Sequence, residues 1–384
     1  MTKKSKNVKR KINKKKRTLS KFLATLTVLI FICVALACYL YPPLYDYIKG
    51  LISDQSNNYV VDGDVTIVKE LKDLKVHFVD VGQGDCIIIE LPDGKNVIID
   101  SGESDFDDLD SYIKENTSVT CFDYVIATHA DYDHIGNFDD LFKNYEVKYV
   151  YRPYVKYDGE DYEFSGDFNK GSYKYQQDSK SYGRFLDYIL NEDYVIDGKS
   201  YDAGWEFFNY NSDFAGKIKV EGQETEYEYY FDFLTPKLDD LSKIEYKDAN
   251  DYSPIIKFSY CGVDIMFTGD AEAEAEADFV KFYKGYESDL DVEILKVSHH
   301  GSLSSTTQDF LDLIKPDCAV IQCGLDNDYL HPRQATLTRL FNKGCTVYRN
   351  DLQGDILLTI NSNGEYGFAT EKTTNSNLYK GADA

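Results

Sequence analysis

The sequence predicts an α/β protein folded as a four-layered αββα sandwich, two sheets face to face with helices outside, with an N-terminal transmembrane helix and a large insertion. Two observations predict the sandwich: strands and helices alternate up to about residue 155, and a matching series resumes after about residue 248. A third, the charge-free run at 22–41, predicts the membrane helix.

The chain of 384 residues carries a formal net charge of −24, unevenly spread. Its first 21 residues hold eleven Lys or Arg and no acid, so the remainder sums to −35. The run "FLATLTVLIFICVALACYLY" would span about 30 Å as a helix, enough to cross a bilayer core. The basic block before it predicts a cytoplasmic N-terminus and an extracellular body, a single-pass protein of the cell membrane. A cleaved signal peptide and a lipoprotein site at Cys38 are the alternatives. The resulting organisation is a basic segment at 1–21, a transmembrane signal anchor at 22–42, a stalk at 43–72, a body at 73–370 and a tail at 371–384 expected to fray.

Within the body, "LKVHFVDV", "CIIIEL" and "NVIID" read as consecutive strands separated by "GQGD" and "PDG". A helix over Phe106 to Glu115 leads to the strand "FDYVIAT", then "DHIGNFDDLFKNY" reads as a helix and "VKYVYRPY" as a strand. Residues 155–248 are dense in Tyr, Asp, Gly, Ser and Lys. They read as a surface insertion with a few strands and a helix near Arg184 to Leu190, or as a lid that shapes access. "SPIIKFSY" and "VDIMFTG" form a hairpin about Cys261 and Gly262. "DAEAEAEADFVKFYKGY" is an acidic-started helix that Asp270 can cap. The strand "VEILKVS", a helix around "STTQDFLDLI", the strand "CAVIQC", a helix starting near Pro332 and the strands "CTVYRN" and "DILLTI" complete the body. Of eight cysteines none forms a C-x-x-C pair, and those after Cys38 sit mostly in apolar runs, which predicts buried thiols rather than a disulfide framework.

The chemistry concentrates at strand ends. In "ATHADYDHIG", His129, Asp131, Asp133 and His134 fall on an irregular turn that can aim alternate side chains at one point. Imidazole nitrogen and carboxylate oxygen are the usual ligands of catalytic divalent metals. A polar loop with a helix cap is the plainer alternative. "FTGD" ends a second strand with Asp270, and "KVSHHGS" a third with His299 and His300. Four of the chain's six histidines fall in these clusters, which favours a metal cage. His77, inside an alternating strand, reads as structural.

These residues resemble the metallo-β-lactamase fold hydrolases, in the branch typified by the extracellular domain of the ComEC competence protein. "VDVGQGD", "IIDSG", "THADYDHIG", "NDYSPIIKF", "FTGDAE", "KVSHHGS" and "YLHP" follow that branch in order. The resemblance covers Leu74 to about Arg152 and Asn250 to Ile360. It implies that Asp100 orients the metal loop, that His129, Asp131, Asp133 and His134 are ligands, that Asp270 bridges two metals, and that His299 or His300 is the last ligand. The other histidine is expected to meet substrate or leaving group. Gly84, Asp85, Asn250, Asp251 and His331 are further candidates for substrate or ligand contact, against turn, capping or hairpin roles.

Asp131 stands where most of the superfamily has a histidine, and no histidine lies between His134 and His299. Oxygen-rich donors shift preference from zinc toward manganese or magnesium. The expectation is metal-assisted hydrolysis of a phosphodiester by two divalent ions, with Asp133, His134 and His300 central to catalysis. DNA is the leading substrate by resemblance, although so acidic a body repels nucleic acid over most of its surface. Wall polymers such as teichoic acid or its phosphocholine substituents are the second reading, and a non-catalytic metal-binding surface receptor the third.

Overall fold

The computed structural model describes residues 65–103, 105–159, 176–177, 179–190, 194–196, 199–201, 203–238, 240–286 and 289–383. The expected anchor at 22–42 and the stalk up to residue 64 lie outside them. Among the described residues no helix is long and apolar enough to cross a membrane.

In chain order the first half contains β1 (Thr66–Val68), β2 (Leu74–Phe78), β3 (Ile87–Glu90), β4 (Asn96–Ile99), α1 (Phe106–Asn116), β5 (Cys121–Ile126), α2 (Tyr132–Ile135), α3 (Phe138–Asn144) and β6 (Glu146–Arg152). The insertion contributes β7 (Lys156–Tyr157), β8 (Gln176–Gln177), α4 (Lys180–Leu190), β9 (Tyr194–Ile196), β10 (Lys199–Tyr201), β11 (Gly204–Phe207), β12 (Phe214–Val220) and β13 (Glu226–Phe233). After it come β14 (Ile256–Tyr260), β15 (Val263–Phe267), α5 (Ala273–Tyr283), β16 (Ile294–Lys296), α6 (Gln308–Ile314) and β17 (Cys318–Ile321). The chain closes with α7 (Gln334–Lys343), β18 (Thr346–Arg349), α8 (Asn350–Gln353), β19 (Ile356–Ile360) and β20 (Tyr366–Thr370).

Two eight-stranded sheets result, ordered β11-β6-β5-β4-β3-β2-β19-β20 and β1-β12-β13-β14-β15-β16-β17-β18. Each has an antiparallel run and a parallel run, the latter built by β4, β5, β6 and β11 in one and β15 to β18 in the other, and β1 adds a parallel edge beside β12. β3 shows why its first three positions are all apolar: Ile87 and Ile89 face the core between the sheets, while Ile88 faces the helices. Phe78, Ile99, Phe231, Phe258 and Val320 fill that central core. Phe122, Phe138 and Phe185 pack under the helices of one face, and Phe279, Phe310 and Leu337 under those of the other. The layers are therefore α, β, β, α, as expected.

Several local expectations change. The insertion is not confined to the surface, because β12 and β13 are inner strands of the second sheet and β11 edges the first. In "EYEYYFDF" Tyr229, Phe231 and Phe233 are buried while the intervening positions are only half-buried, so a Tyr- and acid-rich stretch conceals a period of two. β1, within the stretch read as stalk, pairs in parallel with β12. The single helix expected over "DHIGNFDDLFKNY" breaks at Gly136 and Asn137, where the Asn137 amide donates to Gly102 O and its side chain to Ser101 O. The tail is tied down: Arg349 donates to Leu378 O and Lys380 O, and Gln334 N to Ala382 O. The Cys261–Gly262 turn has positive φ at both residues, as a tight hairpin of this kind requires.

His77 is structural, as expected. Its ring bridges Tyr112 Oη at 3.0 Å and Glu90 Oε1 at 3.1 Å, and Glu90 also accepts from Ser118 N and Oγ. Burial alone would raise the Glu90 carboxyl, but His77, Ser118 and Lys75 outweigh it and hold the group below the usual carboxylate range. A carboxylate so held stabilises the fold above its unfolded pKa of about 4.3 and stops doing so as acid protonates it. Glu90→Gln is expected to cost about 1–3 kcal/mol at neutral pH. Urea unfolding followed between pH 7 and pH 3 should show a smaller acid loss in Glu90→Gln than in the parent; identical slopes would remove Glu90 from the acid response.

Candidate metal centre

The site residues sit at the carboxyl ends of parallel strands, where both sheets open toward the same crevice. Asp100 follows β4 with φ of 57° and is fully buried. Its Oδ1 accepts from Thr128 N at 2.8 Å, and its Oδ2 from Thr128 Oγ1 at 2.7 Å and His134 Nδ1 at 2.7 Å. His134 Nδ1 therefore carries the proton and its Nε2 presents a lone pair. Because the Thr128 hydroxyl is spent on Asp100, its oxygen accepts from His129 Nδ1 at 3.1 Å, which leaves His129 Nε2 unprotonated too. His300 is fixed from the other sheet: its Nδ1 donates to Gln322 O at 2.8 Å, with Asp85 Oδ1 at 3.3 Å from the same nitrogen.

The lone pairs converge. His134 Nε2 and His300 Nε2 are 3.3 Å apart. Asp270 Oδ1 lies 3.3 Å from His134 Nε2, Asp270 Oδ2 lies 3.4 Å from His300 Nε2, and Asp133 Oδ2 lies 3.2 Å from His300 Nε2. One donor atom from each of these four residues falls within 4.8 Å of all the others. His129 Nε2 stands beside them, 3.8 Å from Asp131 Oδ2 and 4.0 Å from Asp270 Oδ2. Among the described residues neither His129 Nε2 nor Asp270 Oδ1 has a hydrogen-bond partner, although both are buried. Two imidazole lone pairs and two carboxylates facing one point repel one another unless a cation lies between them, so the donors fit a divalent metal.

The electrostatics agree. Burial would lower His134 and His300, yet Asp270 and its acidic neighbours pull both well above the ordinary imidazole value. Burial and the nearby Asp133 push the Asp131 carboxyl up to about 6. The acids exceed the cations the chain itself supplies there, which is the field a bound metal ion answers.

Of the adjacent histidines, His300 turns into the donor cluster. His299, with φ of 46°, directs Nδ1 to Glu272 Oε1 at 2.7 Å and keeps Nε2 at 3.7 Å from Asp270 Oδ2. Asn250 Nδ2 lies 3.4 Å from both His299 Nδ1 and Glu272 Oε1. Asp251 accepts from Glu272 N and Ala275 N at 3.0 Å each, capping α5 in the role expected of Asp270. Asp85, a candidate for substrate contact, is instead buried beneath the cluster with Oδ2 at 2.6 Å from Lys296 Nζ. Gly84 permits close packing, since a Cβ there would fall 2.2 Å from Asp133 O. His331 lies beside the cluster, its ring stacked between His300 and the exposed Tyr329.

Sequence reasoning missed Lys296, Glu272, Ser253, Gln322 and Gln177. A lysine inside the apolar run "VEILKVS" and a glutamate inside "FTGDAE" were signals for the first two. Ser253 Oγ, 3.4 Å from His129 Nδ1 and accepting from Asp270 N, lay in the quoted "NDYS". Gln177 Nε2 donates to Asp131 Oδ1 at 3.1 Å from within the insertion, where nothing in the sequence marks it.

Residues 79–210 match the family model described as the metallo-beta-lactamase superfamily. It is 25% identical over 299 residues to ComE operon protein 3 of Bacillus subtilis (strain 168), covering 73% of this chain and 32% of that one. It is 31% identical over 134 residues to competence protein ComA of Neisseria gonorrhoeae, covering 35% of this chain and 18% of that one. The chain thus spans about a third or less of the length of the curated relatives it matches. Among solved structures, CmlA, a diiron beta-hydroxylase from Streptomyces venezuelae, aligns with 73% of this chain and 53% of its own at 11% identity, with a TM-score of 0.37.

Lys296 and Asp85 join the two sheets directly under the donors, both fully buried. Removing one charge strands the other, so Lys296→Met is expected to destabilise the fold by about 3–5 kcal/mol. Lys296→Met combined with Asp85→Asn should recover most of that loss in chemical denaturation, whereas an additive loss would show that the pair does not act as a unit.

Proposed function

We propose that this chain is a metal-dependent phosphodiesterase, anchored by its N-terminal segment and working outside the membrane. The observation that carries the chemistry is the convergence of His134 Nε2, His300 Nε2, Asp133 and Asp270, with His129 and Asp131 beside them. Two divalent ions held by these groups would polarise a phosphoryl oxygen and lower the pKa of a bound water. His134 and His300 would hold the inner position through Nε2, their rings oriented by Asp100 and Gln322 O. Asp270, with Oδ1 toward His134 and Oδ2 toward both His300 and His129, would serve both positions. Asp133 reaches the crevice with a side chain about one-quarter exposed, which suits it to take the proton from the attacking water. His331 and Tyr329 stand where an incoming substrate would pass.

DNA is the favoured substrate because one relative is named competence protein ComA and another recombination protein 2. The charge of −35 after residue 21 favours the second reading, a wall-polymer phosphodiester whose cationic substituents soften its own charge.

The full chain in detergent, stripped by chelator, is expected to hydrolyse bis-p-nitrophenyl phosphate only after manganese or zinc is restored. Asp133→Ala should lower kcat/KM by more than about a hundredfold with an unchanged melting midpoint. Undiminished turnover in that variant would sink the site. Labelled DNA run in parallel separates the substrates: cleavage supports a nuclease, and turnover of the small diester alone moves the search to wall polymers.

A further inference from the structure

The two donor sets that the proposed function calls on are built differently, and the difference lies in what holds them. The inner set has its four donors within 4.8 Å of one another, and each of its imidazoles is oriented by a buried group of the core. Among the described residues the outer set consists of His129 Nε2, Asp131 Oδ2 and Asp270 Oδ2, the oxygens 3.8 and 4.0 Å from the histidine, with His299 Nε2 at 3.7 Å from the same Asp270 oxygen but held by Glu272 through Nδ1. Ser253 does not complete it, because its hydroxyl faces the opposite ring nitrogen, His129 Nδ1, and the Asp270 amide.

Asp131 is the loosest member. Its side chain is 38% exposed, and although it precedes α2 it makes no capping bond to that helix. What restrains it comes from the insertion. Gln177 Nε2 donates to Asp131 Oδ1 at 3.1 Å, leaving Oδ2 directed toward His129. Gln177 is itself held, since β8 pairs with β7 through Tyr157↔Gln177 and Gln177 O accepts from Asp158 N at 3.2 Å.

We propose that Gln177 is a positioning residue that sets the affinity of the outer cation position, while the inner position does not depend on it. The inference rests on the metal-centred reading above and adds to it a task for the insertion. A carboxylate fixed through one oxygen presents the other without first losing rotamer freedom, and loss of such an outer partner commonly costs about 10–100-fold in metal affinity. An amide donor can also act the other way, drawing charge from the carboxylate and weakening its hold on a cation. The two effects have opposite signs, and the sparse, exposed outer set makes orientation the larger one.

The test titrates the metal-stripped full chain with manganese and follows free ion by its paramagnetic resonance signal. The parent should show two classes of site, and Asp131→Asn should lose the weaker one. Gln177→Ala and Gln177→Leu should weaken that class by about tenfold or more and leave the tight class unchanged. An outer class that is unchanged or tightened in both Gln177 variants overturns the proposal, as does equal weakening of both classes or a single class in the parent. A parent that binds no manganese would instead remove the metal-centred reading itself, so the two failures are distinguishable.

Discussion

The carboxylate of Asp100 is the group on which the site depends. Burying an ion is costly unless its lone pairs are satisfied, and Asp100 receives three short hydrogen bonds, two from Thr128 and one from His134. Those bonds settle where two protons reside. They put one on His134 Nδ1 directly and, by using up the Thr128 hydroxyl, one on His129 Nδ1. Two Nε2 atoms are thereby turned toward the donor cluster by a residue outside it.

This half-site is useless alone. Asp100, His129, Asp133 and His134 belong to one sheet and its loops, Asp270 and His300 to the other, so the donors meet only when the sheets are packed. The central core brings them together, and polar ties trim the alignment. Gln322 Nε2 crosses to Val79 O and Cys86 O, and Lys296 crosses to Asp85. The same Gln322 gives its carbonyl to His300, so the residue that aligns the sheets also orients a donor.

Most of the fold and the donor set were legible because both follow from local rules. Alternating apolar runs gave the strands, and acids and histidines at strand ends gave the cluster. The pair His299 and His300 could not be divided from sequence, because consecutive residues with φ of 46° and 52° send their rings to different partners, a kink no spacing rule anticipates. The cap of α5 expected from Asp270 comes from Asp251, because only the approach of the Asn250–Tyr252 turn to that helix decides which carboxylate meets its first amides, while Asp270 stays in the donor cluster. β13 was hidden by its tyrosines: the Tyr229 ring fills the core while its hydroxyl makes the sequence look polar. Gln177 acts on Asp131 across 46 positions, a contact that only the folded insertion creates.

The account stands or falls on a cation resting between His134 and His300. Crystals of the protein soaked in manganese and measured at wavelengths on either side of the metal absorption edge test it most directly. The account predicts the strongest anomalous peak at about 2.0–2.3 Å from both Nε2 atoms and from oxygens of Asp133 and Asp270. Peaks confined to surface carboxylates, with the two nitrogens still facing each other across an empty gap, would contradict it.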